Sequence, residues 1–281
     1  MKTYLNLGCG SRYQASWTNI DFASNSPDVQ AHNLLQGIPF QNECFEVAYH
    51  SHVLEHFTKI GGEHFLQECY RVLKPNGIIR IAIPDLEQIA REYLKNLELA
   101  LQGNEKAQHN YNWIMLEMYD QTVRTKSGGD MAAYIFQPTI PNEEYVFERI
   151  GEEGRNLRKY YLSSLDKTNI QKQENIDTRS SLRKFLSKIK QALKQILKKI
   201  IYKDDENLAY TNLGKFRLGG EIHQWMYDRF SLTQLLTKIG FKEITVHTAF
   251  TSAVTDWNKF ELESKEGIIF KPDSLFIEAR K

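Results

Sequence analysis

Two glycines one residue apart, Gly8 and Gly10, interrupt an apolar run a few residues into the chain. Tyr4-Leu5-Asn6-Leu7 reads as a short buried strand, and Gly8-Cys9-Gly10 turns it into a loop. No Cβ there keeps the backbone away from a ligand. A second strand, Trp17-Thr18-Asn19-Ile20-Asp21, ends on a carboxylate. At the carboxyl edge of a parallel sheet such a carboxylate can accept both hydroxyls of a ribose. A glycine turn and an acidic strand end on neighbouring strands make a nucleoside site. Only Ser11 to Trp17 separate the two, too few for a crossover helix, so the first crossover is expected to be a loop or a vestige. The third glycine of the dinucleotide fingerprint is missing, which argues against a nicotinamide-dependent oxidoreductase.

Downstream, strands and helices alternate. A short strand near Val29 to His32 is followed by the turn Gly37-Ile38-Pro39-Phe40 and a central strand, Phe45 to His50. Val53, Leu54, Phe57 and Ile60 predict a helix from near Ser51, and Phe65, Leu66, Cys69, Tyr70, Val72 and Leu73 predict an amphipathic one. Lys74-Pro75-Asn76-Gly77 turns the chain into a buried strand, Ile78 to Pro84, and Asp85 is placed to cap a helix over Leu86 to about Leu101. This alternation predicts an α/β fold with a mostly parallel, Rossmann-like sheet covered on both faces. Residues 1–101 form its cofactor-binding core. Residues 102–220, rich in Tyr, Asn and Gln, read as a largely helical insertion after strand five. Residues 221–281 return to the core: Ser231 to Gln234 reads as a capping box, Gly240 as a helix stop, and Ile244–His247 and Leu275–Glu278 as an antiparallel pair at a sheet edge.

The formal net charge of the 281 residues is +1, which gives no global attraction to nucleic acid. Residues 179–203 nevertheless hold Lys and Arg without Asp or Glu. Within them 180–202 reads as one amphipathic helix, Leu182, Phe185, Leu186, Ile189, Leu193, Ile196, Leu197 and Ile200 forming its stripe. Such a helix suits an anionic membrane interface. Cys9, Cys44 and Cys69 form no CxxC pair, as expected of a reduced compartment. No apolar run reaches the length of a membrane span, and strand one leaves no room for a signal peptide. A cytoplasmic protein is expected, with a peripheral position on the inner membrane face open through 180–202.

Asn6-Leu7-Gly8-Cys9-Gly10, Asn19-Ile20-Asp21, Gly37-Ile38-Pro39-Phe40, His52-Val53-Leu54-Glu55-His56 and Arg71 to Gly77 together resemble the class I S-adenosylmethionine-dependent methyltransferases. The resemblance is to the type 11-like branch, which methylates small molecules and lipids. Glu221 to Arg229 resembles a signature of a subgroup found beside glycan-assembly enzymes. The resemblance implies that S-adenosyl-L-methionine is the cofactor. Its methionine part and sulfonium would lie on Leu7, Gly8, Cys9 and Gly10, its ribose on Asp21 beside Phe22, and its adenine near Asn33 and Leu34. His50 and Ser51 would face the reaction centre. The acceptor would be a small molecule, a saccharide or a lipid-linked compound offering an O or N nucleophile. Asn6 stands where relatives carry an acidic residue, which weakens the grip on the cofactor's amino group.

Three histidines are candidates for catalysis. His52, nearest a strand end, can serve as general base, because an imidazole titrates in the useful range. His56 lies one turn on, and His223 precedes the helix that starts near Ser231. On a common helix His52 and His56 have the spacing of two metal ligands, but Glu55 would point off that face, so no metal is expected. Two rivals stay open: a membrane-associated nucleoside-binding protein without turnover, and a metal-dependent hydrolase using His50, His52 and His56.

Overall fold

The computed structural model describes residues 3–24, 26–174 and 205–281. Its centre is a seven-stranded sheet. The chain lays down β1 (Tyr4–Leu7), β2 (Thr18–Asp21), β3 (Val29–Ala31), β4 (Phe45–Ser51), β5 (Leu73–Pro84), β6 (Lys242–His247), a small hairpin of β7 (Ser264–Lys265) and β8 (Ile268–Ile269), and β9 (Ser274–Arg280). The sheet order is β3-β2-β1-β4-β5-β9-β6. β1 to β5 pair in parallel, whereas β9 runs antiparallel to both β5 and β6. The predicted antiparallel pair is therefore present, with β9 inserted beside β5 and β6 at the edge. Strand order reverses between β1 and β4, and that switch point opens a crevice outside the carboxyl ends of the strands.

Both faces are covered, as the apolar runs require. On one, α1 (Lys59–Val72) brings Phe65, Leu66 and Cys69 onto Leu5, Leu7 and Ile79. Leu232 and Leu236 join the same cluster. The other face holds an aromatic cluster of Trp17, Tyr49 and Trp257, with Tyr4 and Phe260 against it. Beneath it Arg80, fully buried on β5, donates to Glu263 and Glu278 and to the carbonyls of Thr248 and Thr251, each 3.0 Å away. The first crossover is a loop, as its length demands.

After β5, Asp85 caps α2 (Leu86–Leu101) by accepting from the Glu87 N–H at 3.0 Å. The insertion follows as α3 (Glu105–Val123), α4 (Gly129–Ile135), α5 (Glu143–Glu174) and α6 (Asp205–Leu218). α3 packs on α2. Trp113, Ile135, Ile140, Val146 and Phe147 give the insertion a core of its own. α5 breaks at Gly151, whose φ is 62°. A Cβ there would lie 2.5 Å from the Phe270 carbonyl, so only glycine lets α5 sit this close to the segment before β9. The basic helix expected over 180–202 lies outside the described residues. No described helix is long and apolar enough to cross a membrane.

Two local expectations are corrected. The helix expected from Ser51 is a single 3-10 turn, Leu54–His56, followed by α1 from Lys59. His52 has φ 53°, a left-handed conformation that no helix contains. The helix of the return segment, α7 (Arg229–Ile239), is capped by Asp228 and not by Ser231. Asp228 accepts from the Ser231 N–H at 2.7 Å, and the Ser231 hydroxyl accepts from the Asp228 N–H at 3.1 Å. The reciprocal box exists but sits three residues earlier, because a carboxylate outcompetes a hydroxyl for the amide donors. Gly240, with φ 116°, ends α7 as expected.

Candidate active site

The glycine loop is fixed by its neighbours. Gly8 and Cys9 donate their N–H groups to the Ile20 carbonyl, and Gly10 donates to Asp21 Oδ2 at 2.7 Å. Gly8 has φ 65°, and a Cβ there would overlap Val53; beside Gly10 the corresponding space is open. Asp21 thus ends β2 against the glycine turn and holds its last amide. Phe22 is 73% exposed beside it. Leu7 is buried in the core and offers only its backbone. Burial, followed by the charge of Asp21, pushes the Cys9 thiol up to about 11, so it stays protonated. Asn33 caps a short turn, its side-chain oxygen accepting from the Leu35 N–H at 3.0 Å, with half-buried Leu34 next to it.

A cavity of about 230 Å³ opens beside this loop, lined among others by Asn6, Gly8, Gly10, Arg12, Tyr49 and Ser51. A second, of about 280 Å³, lies under the insertion, with Arg124, Met131, Ile135, Ile150, Leu157 and Asp273 in its wall. His52, Glu153 and Lys271 line both. Glu153 comes from α5 and pairs with Lys271 at 3.3 Å and Arg12 at 3.6 Å. Burial opposes its ionisation, but these two cations hold it below the usual carboxylate range.

The histidines divide. Strand alternation sends Tyr49 and Ser51 toward the first cavity and His50 to the opposite face. His50 is fully buried with its ring 5.1 Å from that of Phe65, and burial lowers its pKa to about 4. It lines neither cavity, contrary to the expectation that it faces the reaction centre. His52 stands between the cavities, its Nδ1 3.2 Å from Glu55 Oε1 and its Nε2 2.8 Å from Ser274 Oγ. Glu55 therefore selects the tautomer with the proton on Nδ1 and leaves Nε2 as a base. Burial and then Lys271 depress the His52 pKa, with Glu55 opposing them. His56 and His223 lie on the other side of Glu55, their rings 5.0 Å apart. Burial lowers His223 to about 3.

Glu55, read from the sequence as pointing away, is the centre of the cluster. The 3-10 turn, tighter than an α-helix, rolls it inward, and His52 reaches it from a left-handed residue. Arg12, Tyr49, Glu153, Lys271 and Ser274 were not marked by the sequence. Arg12 follows the glycine loop directly, and a cation there could have been suspected of meeting a carboxylate. Glu153 and Lys271 belong to no motif and arrive only through the break at Gly151.

The loop has the features needed by the group that the resemblance implied. The Tyr49 hydroxyl, buried in the wall of the first cavity, has no hydrogen-bond partner among the described residues, and the space beside Gly10 is open. Residues 5–81 match the family model described as a methyltransferase domain. No curated protein sequence matches the chain. Among solved structures it is similar to an S-adenosylmethionine-dependent methyltransferase from Thermotoga maritima, at 13% identity and TM-score 0.38, over 99% of this chain and 81% of that one. One from Archaeoglobus fulgidus shows 10% identity and TM-score 0.36, over 99% and 85%. The match of residues 5–81 to that domain, on a Rossmann-like sheet, makes this part of the chain similar to S-adenosylmethionine-dependent methyltransferases.

Proposed function

We propose that the chain transfers a methyl group to an oxygen or nitrogen nucleophile of a small, saccharide or lipid-linked acceptor, with His52 as general base. The observation that carries this reading is that His52, Glu153 and Lys271 wall both cavities. The backbone from Leu7 to Gly10 would hold the methionine and sulfonium end, Arg12 the methionine carboxylate, and Asp21 the ribose. Asn33 and Leu34 would border the adenine. Bound S-adenosylmethionine supplies an activated methyl carbon on a good leaving group. The protein's task is then to place the acceptor behind that carbon and keep water out. His52 Nε2 accepts the acceptor's proton at the position where the Ser274 hydroxyl now donates, and Glu55 steadies the imidazolium that forms. The second cavity combines charged Arg124 and Lys271 and the carboxyl of Asp273 with apolar Met131, Ile135 and Leu157, which suits a polar head with an apolar flank.

Asp21→Ala tests the cofactor site. Loss of a charge-assisted hydrogen bond should weaken S-adenosylhomocysteine by roughly 10- to 100-fold in calorimetry. Asp21→Asn should lose less, since its amide oxygen can still accept from Gly10. Unchanged affinity in Asp21→Ala would refute the placement. A lipid-linked acceptor would also explain the basic, amphipathic sequence 180–202. Scrambling its apolar stripe while keeping its charge should then release the protein from anionic vesicles in a flotation assay; retention would remove the membrane from the proposal.

A further inference from the structure

We propose that Glu55, His56 and His223 form a binding site for one divalent first-row transition metal ion, beside the general base and distinct from the cofactor loop. One ligand atom from each of the three lies within 4.8 Å of the other two. His223 Nε2 is 4.0 Å from Glu55 Oε1. Ligand atoms each about 2.0–2.2 Å from a common ion stand at most about 4 Å apart, so closure needs shifts of an ångström or less.

Three further observations support a ligand here. Glu55 is 1% exposed, and among the described residues no lysine or arginine pairs with it. A carboxylate taken out of water without a cation is costly, and a dication between it and two imidazoles removes that cost. His56 Nδ1 lies 3.1 Å from the Ile222 carbonyl, which fixes the proton on Nδ1 and leaves Nε2 with its lone pair for an ion. Finally, the two segments that carry the ligands are held in register. Gln224 N–H donates to the Glu55 carbonyl at 2.7 Å, the Gln224 side chain to the His56 carbonyl at 2.8 Å, and His223 N–H to the Gln121 carbonyl at 2.9 Å. The backbone preorganises the donors before any ion arrives.

Two imidazoles and one carboxylate select Zn²⁺, Fe²⁺, Mn²⁺, Co²⁺ or Ni²⁺ over Mg²⁺ and Ca²⁺, which prefer oxygen. Bound through one Glu55 oxygen, the ion would leave the other to orient His52, and would tie the turn at 54–56 to the segment at 222–225. This inference rests on geometry alone and stands whether or not the methyl acceptor is as proposed.

The full chain, stripped with a chelator, should be titrated with Co²⁺ followed by its visible spectrum, and with Zn²⁺ in competition with a chromophoric chelator. One equivalent of each is expected. Glu55→Gln and His223→Ala should each weaken binding by more than roughly 100-fold, beyond the loss of an outer-shell partner. His109→Ala, which removes an exposed imidazole on α3, should leave binding unchanged. His56→Gln, at a half-buried position, gives the same reading should His223→Ala fail to fold by circular dichroism. Absence of Co²⁺ and Zn²⁺ binding at micromolar concentration, or equal binding by wild type and all three ligand variants, overturns the site. S-adenosylhomocysteine affinity measured on the same stripped samples reports separately on the cofactor loop.

Discussion

His52→Asn should lower kcat for methyl transfer to a hydroxyl acceptor by roughly 100- to 10,000-fold, the usual worth of a positioned general base. Asparagine is the appropriate replacement because His52 has φ 53°, and Asn tolerates the left-handed region better than most residues. The variant thus removes the base without adding backbone strain. KM and S-adenosylhomocysteine affinity should change little, since the imidazole is not assigned to cofactor binding. The pH profile separates this role from a packing role. Only neutral His52 can take a proton, so wild-type kcat rises as His52 deprotonates. Burial and Lys271 hold its pKa below the ordinary imidazole value, so the rise is complete before neutral pH. In His52→Asn that limb should vanish, and residual activity should climb at alkaline pH as hydroxide or the ionised acceptor takes over. Glu55→Gln keeps the imidazole but loses its orientation, so its kcat should fall less. A His52→Asn enzyme with wild-type kcat and an unchanged profile would remove His52 from the chemistry.

What could be read from the sequence follows a physical division. Gly8, Gly10, Asp21 and the alternation through Pro84 announce the sheet and its switch point, because those signals are local and periodic. The antiparallel return strand was legible for the same reason. The histidine site was not. Val53, Leu54, Phe57 and Ile60 have helical spacing, yet the chain between Ser51 and Lys59 forms only one 3-10 turn. Periodicity reports which residues are buried, and the same four can be buried by a tighter turn that points Glu55 the other way. His50 was misassigned by one register step, since alternate residues of a strand face opposite sides. Glu153, Lys271 and Ser274 were invisible because their meeting with His52 depends on contacts between an insertion and a distant hairpin. At α7 the cap was legible in kind but misplaced, a competition between Asp228 and Ser231 for the same amides.

Arg80→Met should be the most damaging single change in the sheet, costing roughly 3–5 kcal/mol in urea unfolding, as expected when one partner of a buried ionic network is removed. Arg80 is fully buried, and its guanidinium holds Glu263 and Glu278, themselves 5% and 3% exposed. It also donates to the Thr248 and Thr251 carbonyls. Methionine fills the space but leaves two buried carboxylates facing each other and two carbonyls without a donor. The damage should extend to the site. Glu263 adjoins Leu262, which lines the first cavity, and Glu278 lies on β9, whose first residue is Ser274. Loosening both should weaken S-adenosylhomocysteine as well as the fold. Arg80→Met combined with Glu263→Gln and Glu278→Gln should regain part of the loss, because no buried charge is then left unpaired. If the single variant costs less than about 1 kcal/mol, the network is not what clamps β5, β9 and the loop before β7 together, and the positioning of Ser274 against His52 needs another cause.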